Sequence, residues 1–322
     1  MPAETSPLFE SDSVLGVRIS GPFQPLVNDR AEGEREYFPF QLQVDGAAVP
    51  VRIRVRGHSR VRVCEFPPLR LNFSVSETDA TVFSGQDKLK LVTHCRHYDQ
   101  GEQDLLEEFL AYRIFNLLTD SGFRVRLLRI QYEDRAGGLP ADASPRYGFL
   151  IEPARELADR LGAELVELEG FPRYQHDRRH AALVYVFQYL IANTDWSLVK
   201  ADYAEACCHN IRLLEADSQL RMIPYDFDVS GLVNARYAFP DPKLRIGRVT
   251  RRRYLGVCTE PEYVLDAIRH VRGMKAEILA LPATVPGLKA KNAKKAAKFL
   301  DGFFERAENE QKLLKNFESS CL

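Results

Sequence analysis

Residues 222–231 read MIPYDFDVSG: an apolar approach, two aspartates around one phenylalanine, and a small-residue exit. Asp is a poor strand former, and two carboxylates this close repel each other unless a cation or a donor lies between them. Continued as a strand, the stretch alternates its side chains, so Asp226 and Asp228 point one way and Phe227 the other. Hard carboxylate oxygens favour Mg2+ or Mn2+ over zinc. Taken alone, D-F-D fits a solvated strand end equally well. The chain upstream decides.

There, residues 178–193 (RRHAALVYVFQYLIAN) are apolar on nearly every face, which predicts a helix at the centre of a helical region. The helix runs into NTDWS, placing Asn193, Asp195, Trp196 and Ser197 where the chain turns; an acid there is also an ordinary turn residue. The preceding HDRRH (176–180) reads as the helix N-terminus. Some fifteen residues after Asp195 comes CHNIRLLE, with His209 and Asn210 at the mouth of a hairpin closed by the turn ADSQ. An antiparallel hairpin returns its far end, D-F-D, beside Asn210. Asp195, Asn210 and the pair Asp226/Asp228 are thereby expected to converge.

A helix, a loop acid, a metal-binding Asn, a hairpin and a metal-binding Asp form, in that order, the phosphoryl-transfer layout of a protein kinase. The spacing departs from HRDxxxxN, and a longer loop (LVKADYAEACC) fills the difference. The sequence resembles the CotH family, the spore-coat protein H-like atypical kinases. The matching pieces are RVRGHSR, FPPLRLNF, KLKLVTHCR, YGFLIE, NTDWS, HN and IPYDFDVSGLVN, over residues ~50–235. The resemblance implies an α+β, atypical protein-kinase-like two-lobed fold that transfers the γ-phosphate of ATP to protein hydroxyls, Ser or Thr, with Mg2+ or Mn2+. Carried over, Asp195 is the catalytic acid, Asn210 and Asp226 are metal ligands, and Asp228 is a second ligand or a positioner. Trp196 stacks on adenine or seals the lobe.

The first ~150 residues are β-rich: VLGVRI, YFPFQLQV, VPVRIRVRG, VRVCEF, LRLNFSV and KLKLVTH, with turn signals such as DGAA and RGHS between them. A helix over 103–118 interrupts them, and a further hairpin ends in YGFLIEP. RIRVRGHSRVRV is expected to form a hairpin: either a phosphate-covering turn, with Gly57 and Ser59 allowing close backbone approach, or an Arg-striped solvent face. Proteins of the family often carry Lys in the strand after this turn (YRIKF), where this chain has Asn72. That leaves Arg70 and Lys90 as the nucleotide-contacting cations. Glu108 is either their ion-pair partner or a surface acid. Residues 236–253 hold seven Arg and Lys against one acid, Asp241, in the place of a kinase activation segment; this favours acidic or phosphorylated substrates, or is a solvated turn.

Two lobes are expected, 1–150 and 151–322, with a ligand cleft between them. At net charge −1 no global field draws the chain to nucleic acid or membrane, and no apolar run approaches the roughly 18–20 residues that cross a bilayer. The N-terminus shows no signal peptide, which leaves a cytoplasmic default and a secreted or cell-envelope alternative if a leader was removed. Six cysteines without a CxxC pair argue against zinc and read as buried thiols before disulfides, with Cys64 and Cys95 possible sheet neighbours. The partner implied is a protein substrate, acidic or Ser-rich. Two other readings stand beside the kinase: a degenerate kinase-fold scaffold, motivated by Asn72, and a metal-dependent phosphoesterase using Asp226, Asp228 and His209.

Overall fold

A computed structural model describes residues 7–137, 139, 145–172, 175–199 and 207–322. The fold is α+β. The chain divides into two compact units: the described residues through Phe109 with Arg124–Glu156, and Leu110–Phe123 with Leu157–Leu322. The division expected near 150 falls at Glu156, and 110–123 belong with the second unit.

The first unit is built on strands β1 (Leu15–Gly21), β2 (Phe38–Val44), β3 (Ala47–Val55), β4 (Leu69–Phe73), β5 (Lys88–Val92), β6 (Val125–Asp134) and β7 (Arg146–Ile151). They close into a barrel in the order β1-β2-β3-β4-β5-β7-β6. All pairs are antiparallel except β1 with β6, the parallel seam that closes it. Period-2 patterning drives this: Val49, Val51, Ile53 and Val55 of β3 are buried while the arginines between them are not. Each such aliphatic side chain contributes roughly 1.5–3 kcal/mol on burial. Asp45 and Gly46 both have positive φ, the two-residue turn that joins β2 to β3. Helix α1 (Phe23–Asn28) packs Phe23 onto Phe40 and Tyr132.

Two expectations fail here. RIRVRGHSRVRV is not a hairpin, because β3 pairs with β4 (Val51 opposite Phe73), and Ser59–Val63 forms a short helix, α2. VRVCEF is likewise not a strand: beyond α2, Phe66 makes only an isolated bridge to Cys95. Alternation of Val with Arg suits either conformation. What overrides it is Arg60, buried and bonded through both terminal nitrogens to Glu108 at 3.0 and 3.1 Å. Glu108 lies on α3 (Asp99–Leu118), and its side chain is 2% exposed. It is no surface acid, and it pairs with Arg60, a cation that the sequence did not suggest for it. Breaking a buried pair of this kind costs about 3–5 kcal/mol, because the surviving charge is stranded.

In the second unit, Asp177 caps α5 (Arg178–Leu190) by accepting from the His180 N–H, so HDRRH is a helix start, as read. Between α3 and α5 lies α4 (Ala154–Arg160). Strands β8 (Glu164–Val166), β9 (Ile211–Ala216) and β10 (Gln219–Pro224) form an antiparallel sheet in the order β10-β9-β8. Asp217 and Ser218, both at positive φ, make the expected β9–β10 turn. Helices α6 (Pro261–Gly273) and α7 (Lys275–Ala280) follow, separated at Met274. The chain ends in α8 (Ala290–Ala307) and α9 (Glu310–Glu318), the second begun by Asn309, which caps it by accepting the Lys312 N–H.

All six cysteines pair, as Cys64–Cys95, Cys207–Cys208 and Cys258–Cys321, which overturns the buried-thiol reading. Among the described residues no helix is long and apolar enough to cross a membrane.

Candidate active site

The site is assembled at the exit of α5. Asn193, fully buried, donates to Gln188 Oε1 and accepts the Asp195 N–H at 3.0 Å, so the turn is held by the helix it leaves. Ser197 and His209 then exchange both backbone hydrogen bonds (3.0 and 3.1 Å). This bridge closes the long loop at its base and cancels the fifteen-residue separation. The middle of that loop, residues 200–206, lies outside the described residues.

Two side chains meet Asp195 across the bridge. His209 Nε2 lies 3.1 Å from Asp195 Oδ1; a carboxylate only accepts, so Nε2 carries the proton. Asn210 donates through Nδ2 to the Asp195 carbonyl at 2.7 Å and to Oδ2 at 3.1 Å. With Nδ2 so engaged, Oδ1 is the acceptor end of the Asn210 amide. Asn210 stands at φ +54°, a left-handed conformation that Asn tolerates better than most residues.

The D-F-D segment departs from the expected strand. β10 ends at Pro224, and the Tyr225 N–H donates to the Asn210 carbonyl at 3.1 Å, the last rung of the hairpin. Asp226 then turns left-handed at φ +62°, its N–H held by Tyr112 Oη at 2.9 Å. Simple alternation therefore does not set the aspartates. Phe227 does have the core role, with no exposure and edge contacts to Tyr112 and Phe187. Asp228 is 5% exposed and accepts from Tyr237 Oη at 2.9 Å. The small-residue exit follows from close approach. Gly231 and Leu232 donate to the carbonyls of Ala192 and Ile191, and a Cβ on Gly231 would stand 2.6 Å from Val249 O.

Asp195, His209 and Asn210 thus form one hydrogen-bonded cluster, and Asp226 is tied to it through the Tyr225–Asn210 rung. Asn210 Oδ1 and the Asp226 and Asp228 carboxylates are hard oxygen donors of the type that suits Mg2+ or Mn2+. Among the described residues no three His, Cys, Asp or Glu side chains gather as a metal site.

A search of solved structures gives a similarity to a proinflammatory kinase of Helicobacter pylori, CtkA. Identity is 9% and the TM-score 0.40, covering 92% of this chain and 97% of that one. No protein-family model matches the chain, and no curated protein does.

The remaining assigned residues lie in two places. Trp196 is 4% exposed and stacked on Tyr185 in the second unit. In the first unit, Arg54, Arg70 and Lys90 stand directly opposite one another across β3, β4 and β5, a row of three cations on the outer barrel face. Asn72 occupies the next row; with its amide turned so that Oδ1 faces Arg52, it accepts from Arg52 at 3.0 Å and donates to Asp87 at 3.1 Å. Gly57 stands at φ +92°, ahead of Ser59 at the start of α2. Sequence reasoning missed Arg60, Tyr112 and Tyr237 as positioning residues. Tyr112 and Asp226 are 114 positions apart, and nothing in either segment signals the pairing.

Proposed function

We propose that this chain is an atypical protein kinase of CotH type, which transfers the γ-phosphate of ATP to a Ser or Thr hydroxyl of a protein with Mg2+ or Mn2+. One observation carries the reading: the Asn210 amide grips Asp195 while the Asn210 carbonyl receives the rung that leads to Asp226. A base and two oxygen donors are thereby held by one short network, the preorganisation that phosphoryl transfer needs. Asn210 Oδ1 and Asp226, with Asp228 behind them, would hold the metal, which supplies charge neutralisation for the nucleotide's phosphates when bound.

In this reading Asp195 orients the acceptor hydroxyl and takes its proton. The hydroxyl oxygen forms the new bond to Pγ, the bond from Pγ to the bridging oxygen breaks, and ADP leaves with that electron pair. His209 restrains the Asp195 carboxylate through its Oδ1, leaving Asp195 otherwise half exposed to an acceptor. Arg70 and Lys90 are the cations assigned to the phosphates. A scaffold that binds without turnover is the second reading, favoured by Asn72 and by the commitment of Glu108 to Arg60.

Calorimetric titration with Mg·ATP tests the site. The wild-type chain is expected to bind, and Asn210→Ala and Asp226→Ala each to weaken binding at least tenfold. Absence of wild-type binding at millimolar nucleotide would sink the proposal.

A further inference from the structure

Beside Asp195 lies a cavity of about 280 Å3 wholly within the second unit. Asp195 and His209 form part of its wall, and Trp196, Leu244, Leu255 and Val257 line it with apolar surface. Its size falls just under the roughly 300 Å3 at which small-molecule sites begin. It suits one large side chain rather than a nucleotide. Val199, also in the wall, is 78% exposed, so the apolar surface continues onto the rim.

The chain segment that carries Leu244 and Leu255 into this wall is cationic. Lys243 and Arg245 flank Leu244 in the chain, and Arg248, Arg251 and Arg253 lead to Leu255; all five are exposed. Among the described residues none of the five pairs with an acid. The segment's one acid, Asp241, lies in the cavity wall with Asp195 and accepts the Lys243 N–H, so the five cations outnumber it. Exposed cations in excess, next in the chain to residues that line a mainly apolar cavity, complement an acidic ligand with an apolar anchor.

We infer that this cavity is the acceptor subsite, and that the acceptor is an acidic protein segment with a large apolar side chain beside its Ser or Thr. The inference rests on the phosphotransfer reading for its chemistry but not for its binding. The apolar side chain fills the space between Trp196 and Leu244, which sets the neighbouring hydroxyl at Asp195. Acidic residues further along the segment meet Lys243, Arg245 and Arg248. Apolar burial gives depth and the charges give direction and encounter rate.

The chain contains a single tryptophan, Trp196, which makes occupancy directly readable. Full-length protein is titrated without nucleotide, following Trp196 emission. Four probes are used: an acidic Ser peptide with Phe next to Ser, the same peptide with Ala for Phe, the same with Lys for its acids, and a single-stranded oligonucleotide. The first peptide is expected to shift the emission. Replacing Phe, or reversing the acids, should each weaken binding at least tenfold, and added salt should weaken it further. Leu244→Arg, on the surface at the cavity wall, should remove the shift with unchanged far-UV circular dichroism and melting temperature. The double variant Arg245→Glu/Arg248→Glu should lose the preference for acids. Equal affinity for all three peptides, no shift with any, or tighter binding of the oligonucleotide would overturn the assignment. Phosphate transfer to proteins without peptide discrimination overturns this inference and leaves the kinase reading standing. Discriminated binding without transfer supports the cavity and removes the chemistry.

Discussion

At the scale of single residues, the site depends on side chains that position others. Tyr112 Oη accepts the Asp226 N–H at 2.9 Å, and its ring also supports Phe227. Tyr112→Phe keeps the ring and removes the oxygen. The stranded N–H should cost about 1–3 kcal/mol by urea denaturation. Phosphate transfer should fall at least tenfold, chiefly in kcat, at temperatures where the variant is fully folded. A stability loss with unchanged transfer would mean that Tyr112 supports the fold and not the aspartate. That Asp195 meets Asn210 and that Tyr225 returns beside Asn210 were legible in the sequence, because turn and hairpin signals placed them locally; how Asp226 and Asp228 turn was not. Tyr112, Tyr237 and Arg60 were not, since each acts through a tertiary contact that neither periodicity nor spacing encodes.

At the scale of elements, the decisive piece is the hairpin β9–β10 together with the segment that follows it. The turn at Asp217 and Ser218 and the antiparallel pairing could be read directly from ADSQ between two apolar runs. Where β10 stops could not be read, because Pro224 and the left-handed Asp226 end it against Asn210 and Tyr112. The failed hairpin at RGHS has the same origin: burial of Arg60 against Glu108 overrides a pattern that is locally ambiguous. Gly231 is the point where the exit of D-F-D is seated on the end of α5. Gly231→Ala places a Cβ 2.6 Å from Val249 O and 2.8 Å from Ala192 Cβ, so the backbone must move. We expect a destabilisation of about 1–3 kcal/mol. Nucleotide affinity should also drop, measured calorimetrically with the folded variant. Retained affinity would show that this seat does not set the aspartates.

At the scale of the whole molecule, both units were visible as a β-rich and then a helical composition, while barrel closure was not. The parallel seam between β1 and β6 joins strands more than a hundred residues apart, and no local signal specifies it. The barrel unit also carries a titration that the whole chain should report. His94 is buried against Phe66, and burial first, then the His97 and Arg146 charges, lowers its pKa to about 3. The folded pKa lies below the unfolded value near 6.5, so acid protonates the unfolded chain first. Stability contributed by His94 is complete above about pH 6.5 and declines as pH falls toward 3. His180 shifts in the same direction through burial. Urea denaturation at pH 7.5 and 4.5 should show this decline, at up to about 1.4 kcal/mol per pH unit for one proton. His94→Gln should make the decline shallower whatever its own baseline stability; an unchanged slope would remove His94 from the account.

The central claim is that the network of Asp195, Asn210 and Asp226 performs phosphoryl transfer. Its most direct test is incorporation of label from [γ-32P]ATP into a mixture of acidic Ser-containing proteins, with Mg2+ or Mn2+. The account predicts incorporation by the wild-type chain that chelator abolishes, and a loss of about 10²–10⁴-fold in Asp195→Asn with folding intact. Full incorporation by Asp195→Asn, or none by a wild-type chain that binds Mg·ATP, would contradict it.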